Sequence, residues 1–179
     1  KDSPEISREL CAKAKALAKE MNYRPNPFAM SLRKNAPRII GVIVPDIVTH
    51  FFASILNGIE NMAIANGYFV IITTSHESYE HEKRNIENLV NMRVEGIIAC
   101  LSQETTDFSH ISALKDINMP LILFDRVCLT DQFSSVIADG AQSAQMATQH
   151  LLDNGSERVA FIGGANHLDI VKRRKHGYL

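Results

Sequence analysis

A succession of short apolar runs, separated by amphipathic stretches, constrains this 179-residue chain more than any other feature. The runs are IIGVIV (39–44), YFVIIT (68–73), GIIACL (96–101), PLILF (120–124), VIA (136–138) and RVAFIG (158–163). The first four begin about 24–29 residues apart, the repeat length of a strand–helix–strand unit. They are apolar at successive positions, so both faces of each strand must be covered, as in a parallel sheet. The intervening segments are helical in period: Phe52, Ile55, Ile59, Met62 and Ala63 share one face, and Ile86, Leu89 and Val90 share another. Gly67, Gly96 and Gly155 fall where helices should stop in a left-handed cap. The pattern predicts an α/β fold, an open doubly wound parallel sheet.

Charge separates an N-terminal segment from this body. Residues 1–38 hold nine Lys/Arg and four acids, a balance of +5, against −6 for the rest of a chain whose net charge is −1. A basic arm on an acidic body is a nucleic-acid binder's asymmetry. Within the arm, residues 7–21 read as a helix with Ser7 as N-cap and an apolar face of Leu10, Ala14, Leu17, Ala18 and Met21. Residues 22–37 form a connector punctuated by Pro25, Pro27 and Pro37. Asn26 followed by Pro27 is a helix-start signal. The helix it opens is only about two turns long, too short to be stable alone in water.

Hydrophobic residues make up 45% of the chain, enough for a packed core. Cys11, Cys100 and Cys128 are odd in number and unpaired in spacing, which suits small core residues in a reducing compartment rather than disulfides or zinc ligands. No apolar run reaches the roughly 18 residues of a membrane span and no signal peptide opens the chain, so no membrane association and a cytoplasmic location are expected. The chain starts at Lys1 rather than Met, inside a loop, which implies an upstream part.

In doubly wound sheets, ligands bind beyond the carboxyl ends of the strands. The residues there are Pro45-Asp46, Thr73-Thr74-Ser75, Ser102-Gln103, Asp125-Arg126 and Asp139-Gly140, with Phe51 and Phe52 opening the first helix on the same side. Carboxylates, an arginine and aromatic rings suit a polyhydroxylated or heterocyclic small molecule. Asp125-Arg126 reads equally as a structural ion pair. No G-x-S-x-G elbow, Walker loop or H-E-x-x-H is present, and FIGGAN (161–166) lacks dinucleotide spacing, so nothing supports an enzyme or a bound cofactor. His76, Glu77, Glu80, His81 and Glu82 resemble a metal set in composition only. Acids at a helix start are accounted for by the helix dipole, and no metal is expected.

KDSPEISRELCAKAKALAKEMNYRPN, PFAMSLRKN, IIGVIVPDIVTHFFASILNGIENMAIANGYFVIITTS, NLVNMRVEGIIAC, PLILFDR, VIADG, HLLDNGSERVAFIGG and RRKHGYL occur in that order. In order and spacing they resemble the lactose/galactose-repressor family of bacterial transcription regulators over essentially the whole chain. The resemblance implies four pieces: the last part of a helix-turn-helix headpiece (1–24), a hinge (25–37), the periplasmic-binding-protein-like N-terminal sensor subdomain (38–157) and the start of the C-terminal subdomain (158–179). It implies a fragment, without the reading helix and most of the C-terminal subdomain. It implies DNA contacts from Tyr23, Arg24, Asn26, Ala29, Leu32 and Arg33, with Leu32 wedged into the minor groove or packed against a partner hinge. Asp46, Phe51, Phe52, Arg126, Asp139 and Arg174 become the expected effector site, although Gly140 stands where the family pattern usually has Asn. The expected partners are operator DNA, a small-molecule effector of carbohydrate type, and a second copy of the chain through helices 51–66 and about 79–93. A transporter's solute-binding protein of the same fold is the alternative, and the basic headpiece segment argues against it.

Overall fold

The first four apolar runs become strands because each finds a parallel neighbour. The computed structural model describes residues 7–23 and 38–179. The chain divides into two compact units, Lys1–Pro37 and Arg38–Leu179.

In the first unit, α1 (Arg8–Glu20) begins at Ser7, whose hydroxyl accepts the Leu10 N–H at 3.3 Å. This is the expected cap. Leu10, Leu17 and Met21 are exposed along one side. Cys11 is only partly buried, so it is not the core residue predicted: the helix has no packed layer on its apolar side among the described residues. Tyr23 is exposed just beyond the helix. Arg24, Asn26, Ala29, Leu32 and Arg33 lie outside the described residues, as does the hinge.

The second unit contains β1 (Ile39–Val44), α2 (His50–Ala65), β2 (Phe69–Thr74), α3 (Tyr79–Asn91), β3 (Gly96–Ala99), α4 (Ser109–Asp116), β4 (Leu121–Phe124), β5 (Ser134–Val136), α5 (Gly140–Asp153) and α6 (Asp169–Tyr178). The strands form one parallel sheet in the order β2-β1-β3-β4-β5. Ile43 pairs with Thr73 on one side and Ala99 on the other; Ala99 pairs with Leu123, and Phe124 with Val136. Strand alternation divides the core in two. Val42, Val44 and Cys100 pack with Phe52 and Phe124 on the α2 face. Ile43, Ala99 and Leu123 pack with Ile86, Leu89 and Leu114 under α3 and α4. The predicted doubly wound sheet is the observed one.

The differences lie at edges. β5 begins at Ser134 rather than Val136 and is exposed throughout, because an edge strand needs backbone partners and not an apolar face. Residues 158–163 form no strand: Ile162 is 96% exposed and no described strand lies alongside to share a ladder. Gly67 and Gly155 do close helices with positive φ, at 74° and 88°. Gly96 does not; Arg93 takes the left-handed position after α3, and Gly96 starts β3.

Gly41 carries a different constraint. A Cβ there would sit 2.6 Å from Leu89 Cδ1, beneath the best-buried part of α3. Gly41→Ala is expected to overpack this contact and lower the unfolding free energy by about 1–3 kcal/mol, read from urea melts of the full-length protein. An unchanged midpoint would mean that α3 shifts freely.

Candidate functional site

The residues that matter chemically lie on loops leaving the carboxyl ends of the strands. After β1, the Asp46 carboxylate accepts the Val48 N–H at 2.8 Å and the Thr49 N–H at 2.9 Å. The Thr49 N–H, against the opposing effect of burial and with help from the Val48 N–H, the Thr49 hydroxyl and the charge of Arg126, holds the carboxyl below its usual range. Asp46 thereby turns the chain into α2, whose N-cap residue Thr49 makes no side-chain cap bond. Phe51, on the first turn of α2, is half exposed. Phe52 lies in the core instead of on a ligand wall: it is 5% exposed, edge-on to Phe124 with ring centroids 6.5 Å apart.

Arg126, after β4, does not pair with the adjacent Asp125. Its Nη1 and Nη2 donate to Glu77 Oε2 and Oε1 at 2.6 and 2.9 Å, and Nη1 also reaches the Leu101 carbonyl at 3.3 Å. Glu77 in turn accepts the Gln103 N–H at 2.7 Å. One carboxylate therefore ties together the loops after β2, β3 and β4. Asp125 takes a left-handed backbone, φ 58°. Its half-buried carboxyl is pushed up by burial, against the pull of Arg126 and Arg174. Asp139 caps α5 by accepting the Gln142 N–H at 3.0 Å.

A cavity of about 610 Å³ opens between α2, the sheet and α6, with Phe51, Phe124, Asp125, Asp169, Arg173 and Arg174 among its lining residues. Of the two adjacent arginines, Arg173 is tied to Asp169 on its own helix at 2.5 Å, and Arg174 is the one whose charge acts on Asp125. Gly140 leaves room for it: a Cβ there would lie 3.3 Å from Arg174 Cγ. Phe51 and Arg174 thus share one cavity, joined by Asp125. Asp139 faces a second cavity of about 550 Å³ between α5 and the end of α6. Arg126 borders a third, smaller space with His167 and Leu168.

Sequence reasoning grouped Glu77 with the acids near the helix start and missed its pairing with Arg126, 49 residues away. It also missed a buried polar cluster under α3 and α4. Glu82 is fully buried and accepts from Ser102 N (2.5 Å), Thr105 Oγ1 (2.9 Å) and, through its other contact, pairs with His110 Nε2 (2.8 Å). Cys100 and Cys128 are inert by comparison, their thiols pushed up to about 12, chiefly by burial. No group of three or more His, Cys, Asp or Glu among the described residues is arranged to hold a metal ion.

Residues 38–179 match the model of periplasmic binding proteins and the sugar-binding domain of the LacI family. The chain belongs to the lactose-repressor family. Catabolite control protein A of Priestia megaterium is 31% identical over 178 residues, covering 97% of this chain and 53% of that protein. The crystal structure of the Cra transcriptional dual regulator from Pseudomonas putida, in complex with fructose 1-phosphate, superposes with a TM-score of 0.73 at 26% identity, over 79% of this chain and 52% of that one. A periplasmic binding protein/LacI transcriptional regulator from Alkaliphilus metalliredigens, complexed with D-xylulofuranose, gives a TM-score of 0.66 at 28% identity, over 79% and 50%. This lactose-repressor relative spans about half the length of the proteins it matches. Among its described residues no helix is long and apolar enough to cross a membrane.

Proposed function

We propose that the protein containing this chain is a cytoplasmic transcription regulator, not an enzyme, whose affinity for operator DNA is set by a sugar or related metabolite. The observation that carries this reading is the span of the likeness to a named regulator, which covers 97% of the chain and therefore takes in the basic segment as well as the sensor. Residues 1–24 belong to the headpiece and 25–37 to the hinge; 38–157 and 158–179 belong to the two sensor subdomains. Tyr23, Arg24, Asn26, Ala29, Leu32 and Arg33 contact DNA. Asp46, Phe51, Arg126, Asp139 and Arg174 serve the effector, and Phe52 serves it by buttressing the ring of Phe51, 5.1 Å away. Two copies bind one operator, with α2 and α3 meeting across the dimer while covering the sheet.

The switch works through differential affinity. An effector that prefers one arrangement of the cleft shifts the population of dimers whose hinges can meet on DNA, and only by that preference. A hundredfold change in operator affinity requires about 2.7 kcal/mol of coupling. Titrating the full-length protein onto its own promoter in a mobility-shift assay, with and without a panel of sugars, tests the reading. Failure to bind any duplex would end it.

Leu32→Ala isolates the hinge. An apolar wedge repays the few kcal/mol of unstacking through extra contacts. The substitution is expected to weaken operator binding at least tenfold, with effector affinity unchanged by calorimetry. Operator binding equal to the parent's would remove the wedge from the mechanism.

A further inference from the structure

A second gathering of polar groups lies at the amino ends of the strands, away from the loops described above. Its centre is Arg38, the first residue of the sensor unit and the one through which Lys1–Pro37 is joined to β1. Arg38 holds a left-handed backbone, φ 45°, which an L residue adopts at a cost, so its surroundings have to hold it there. Its N–H donates to Glu95 Oε1 at 3.0 Å, and its carbonyl accepts the Phe69 N–H at 2.9 Å. Its guanidinium donates to the Asn66 carbonyl at 3.4 Å and lies over the Tyr68 ring, 5.9 Å from the centroid. Gly67 leaves the room: a Cβ there would lie 3.0 Å from Arg38 Nη1.

Glu95 is the member of this clamp that comes from the far side of β1. Its own N–H donates to the Ile39 carbonyl at 2.8 Å, so its backbone is a rung beside β1 while its side chain reaches the residue before β1. Tyr68 shares the carboxylate: a hydrogen bond to Glu95, the Glu95 charge and burial push the phenol up, against the pull of Arg38. The elements that meet here have their other ends at the candidate effector loops. β1 leads to Asp46, β3 leads to Ser102 and Gln103, and α2 runs from Phe51 in its first turn to Ala65, next to Asn66. The six residues of β1, at about 3.3 Å each, set the two ends about 20 Å apart.

Resting on the operator reading above, we infer that Glu95 is a positioning residue for DNA binding: by holding the Arg38 N–H, it fixes the heading of the chain that joins the sensor to the DNA-binding segment. Glu95 touches no DNA and acts through the Arg38 backbone. Arg38 is exposed, so water replaces the carboxylate when it is removed. The torsion is then released at little cost to the stability of the sheet.

The test is mobility-shift titration of the full-length protein on its own promoter duplex, beside urea melts of the same preparations. Glu95→Ala is expected to bind about tenfold more weakly, a change of about 1.4 kcal/mol, which is the scale of the left-handed penalty no longer opposed. Its urea midpoint is expected to stay close to the parent's. Glu95→Gln keeps an oxygen that accepts the Arg38 N–H and is expected to recover most of the loss. Gly41→Ala, overpacked in the core under α3, reads the loss of DNA binding that lower stability alone produces. DNA binding by Glu95→Ala equal to the parent's, or weakened no more than that of Gly41→Ala, overturns the assignment. So does a Glu95→Gln protein as weak as Glu95→Ala. Failure of the parent to bind any duplex overturns instead the operator reading on which the assignment rests.

Discussion

Glu82→Ala is expected to cost the sensor about 3–5 kcal/mol of unfolding free energy, the usual penalty for breaking a buried, hydrogen-bonded pair. The side chain is fully buried, and it answers three groups that have little else: the Ser102 N–H, the Thr105 hydroxyl and His110 Nε2. The Thr105 hydroxyl has one other partner, Ser102 Oγ at 2.9 Å. His110 Nδ1 is buried with no hydrogen-bond partner among the described residues, so the ring leans on Nε2 alone. Truncation strands the Ser102 N–H and His110 Nε2 away from water, at about 1–3 kcal/mol apiece before relaxation, and leaves the Thr105 hydroxyl with Ser102 Oγ. Urea melts of the full-length protein read the loss. A double-mutant cycle with His110→Ala should return a coupling energy of about 0.5–3 kcal/mol, since the two side chains touch. Simple additivity would mean that the pair is a bystander.

Arg174→Ala is expected to lower effector affinity about 100-fold or more while leaving operator binding without effector unchanged. Arg174 is the guanidinium that lines the 610 Å³ cavity beside Asp125 without being tied to a carboxylate of its own helix, as Arg173 is. Removing it leaves Asp125, half-buried and already raised by burial, with less charge to offset, and takes away a fork of donors for ligand oxygens. Because coupling is reciprocal, an effector that no longer binds no longer moves the operator equilibrium. Calorimetry and mobility shift on the same preparation separate the two effects. A response with the parent's half-saturation would move the effector elsewhere.

Much of the sheet was legible because burial on both faces leaves an unmistakable trace. Ile43, Ile97 and Leu123 are packed in the core against α3 and α4, although Ile122 beside Leu123 is 41% exposed on the opposite face of the sheet. The trace fades where the physics changes. Ser134 and Ser135 pair through their backbones at an exposed edge, so hydropathy is silent there. Val159 and Phe161 have a strand's composition, but a ladder is a property of two segments, and one is not enough.

The site divides in the same manner. Phe51 and Arg174 followed from a family resemblance, whereas no local rule joins Glu77 to Arg126 across 49 residues. Glu82 is different: it lies four and seven residues before Ile86 and Leu89, on the buried stripe of α3. The helical period already placed that carboxylate inside. Accounting for it by the helix dipole alone overlooked the face it occupies.

His76, Glu77 and Asp125 hold φ values of 51°, 60° and 58°, a region that L side chains occupy at a cost. These torsions are gathered at the loops that aim Arg126 and Asp125. Glycine would relax each of them, and it would also let the mouth of the receptor wander. Relief of strain and loss of loop rigidity would therefore come together at the same three peptide units, with the added freedom of the unfolded chain offsetting part of the gain.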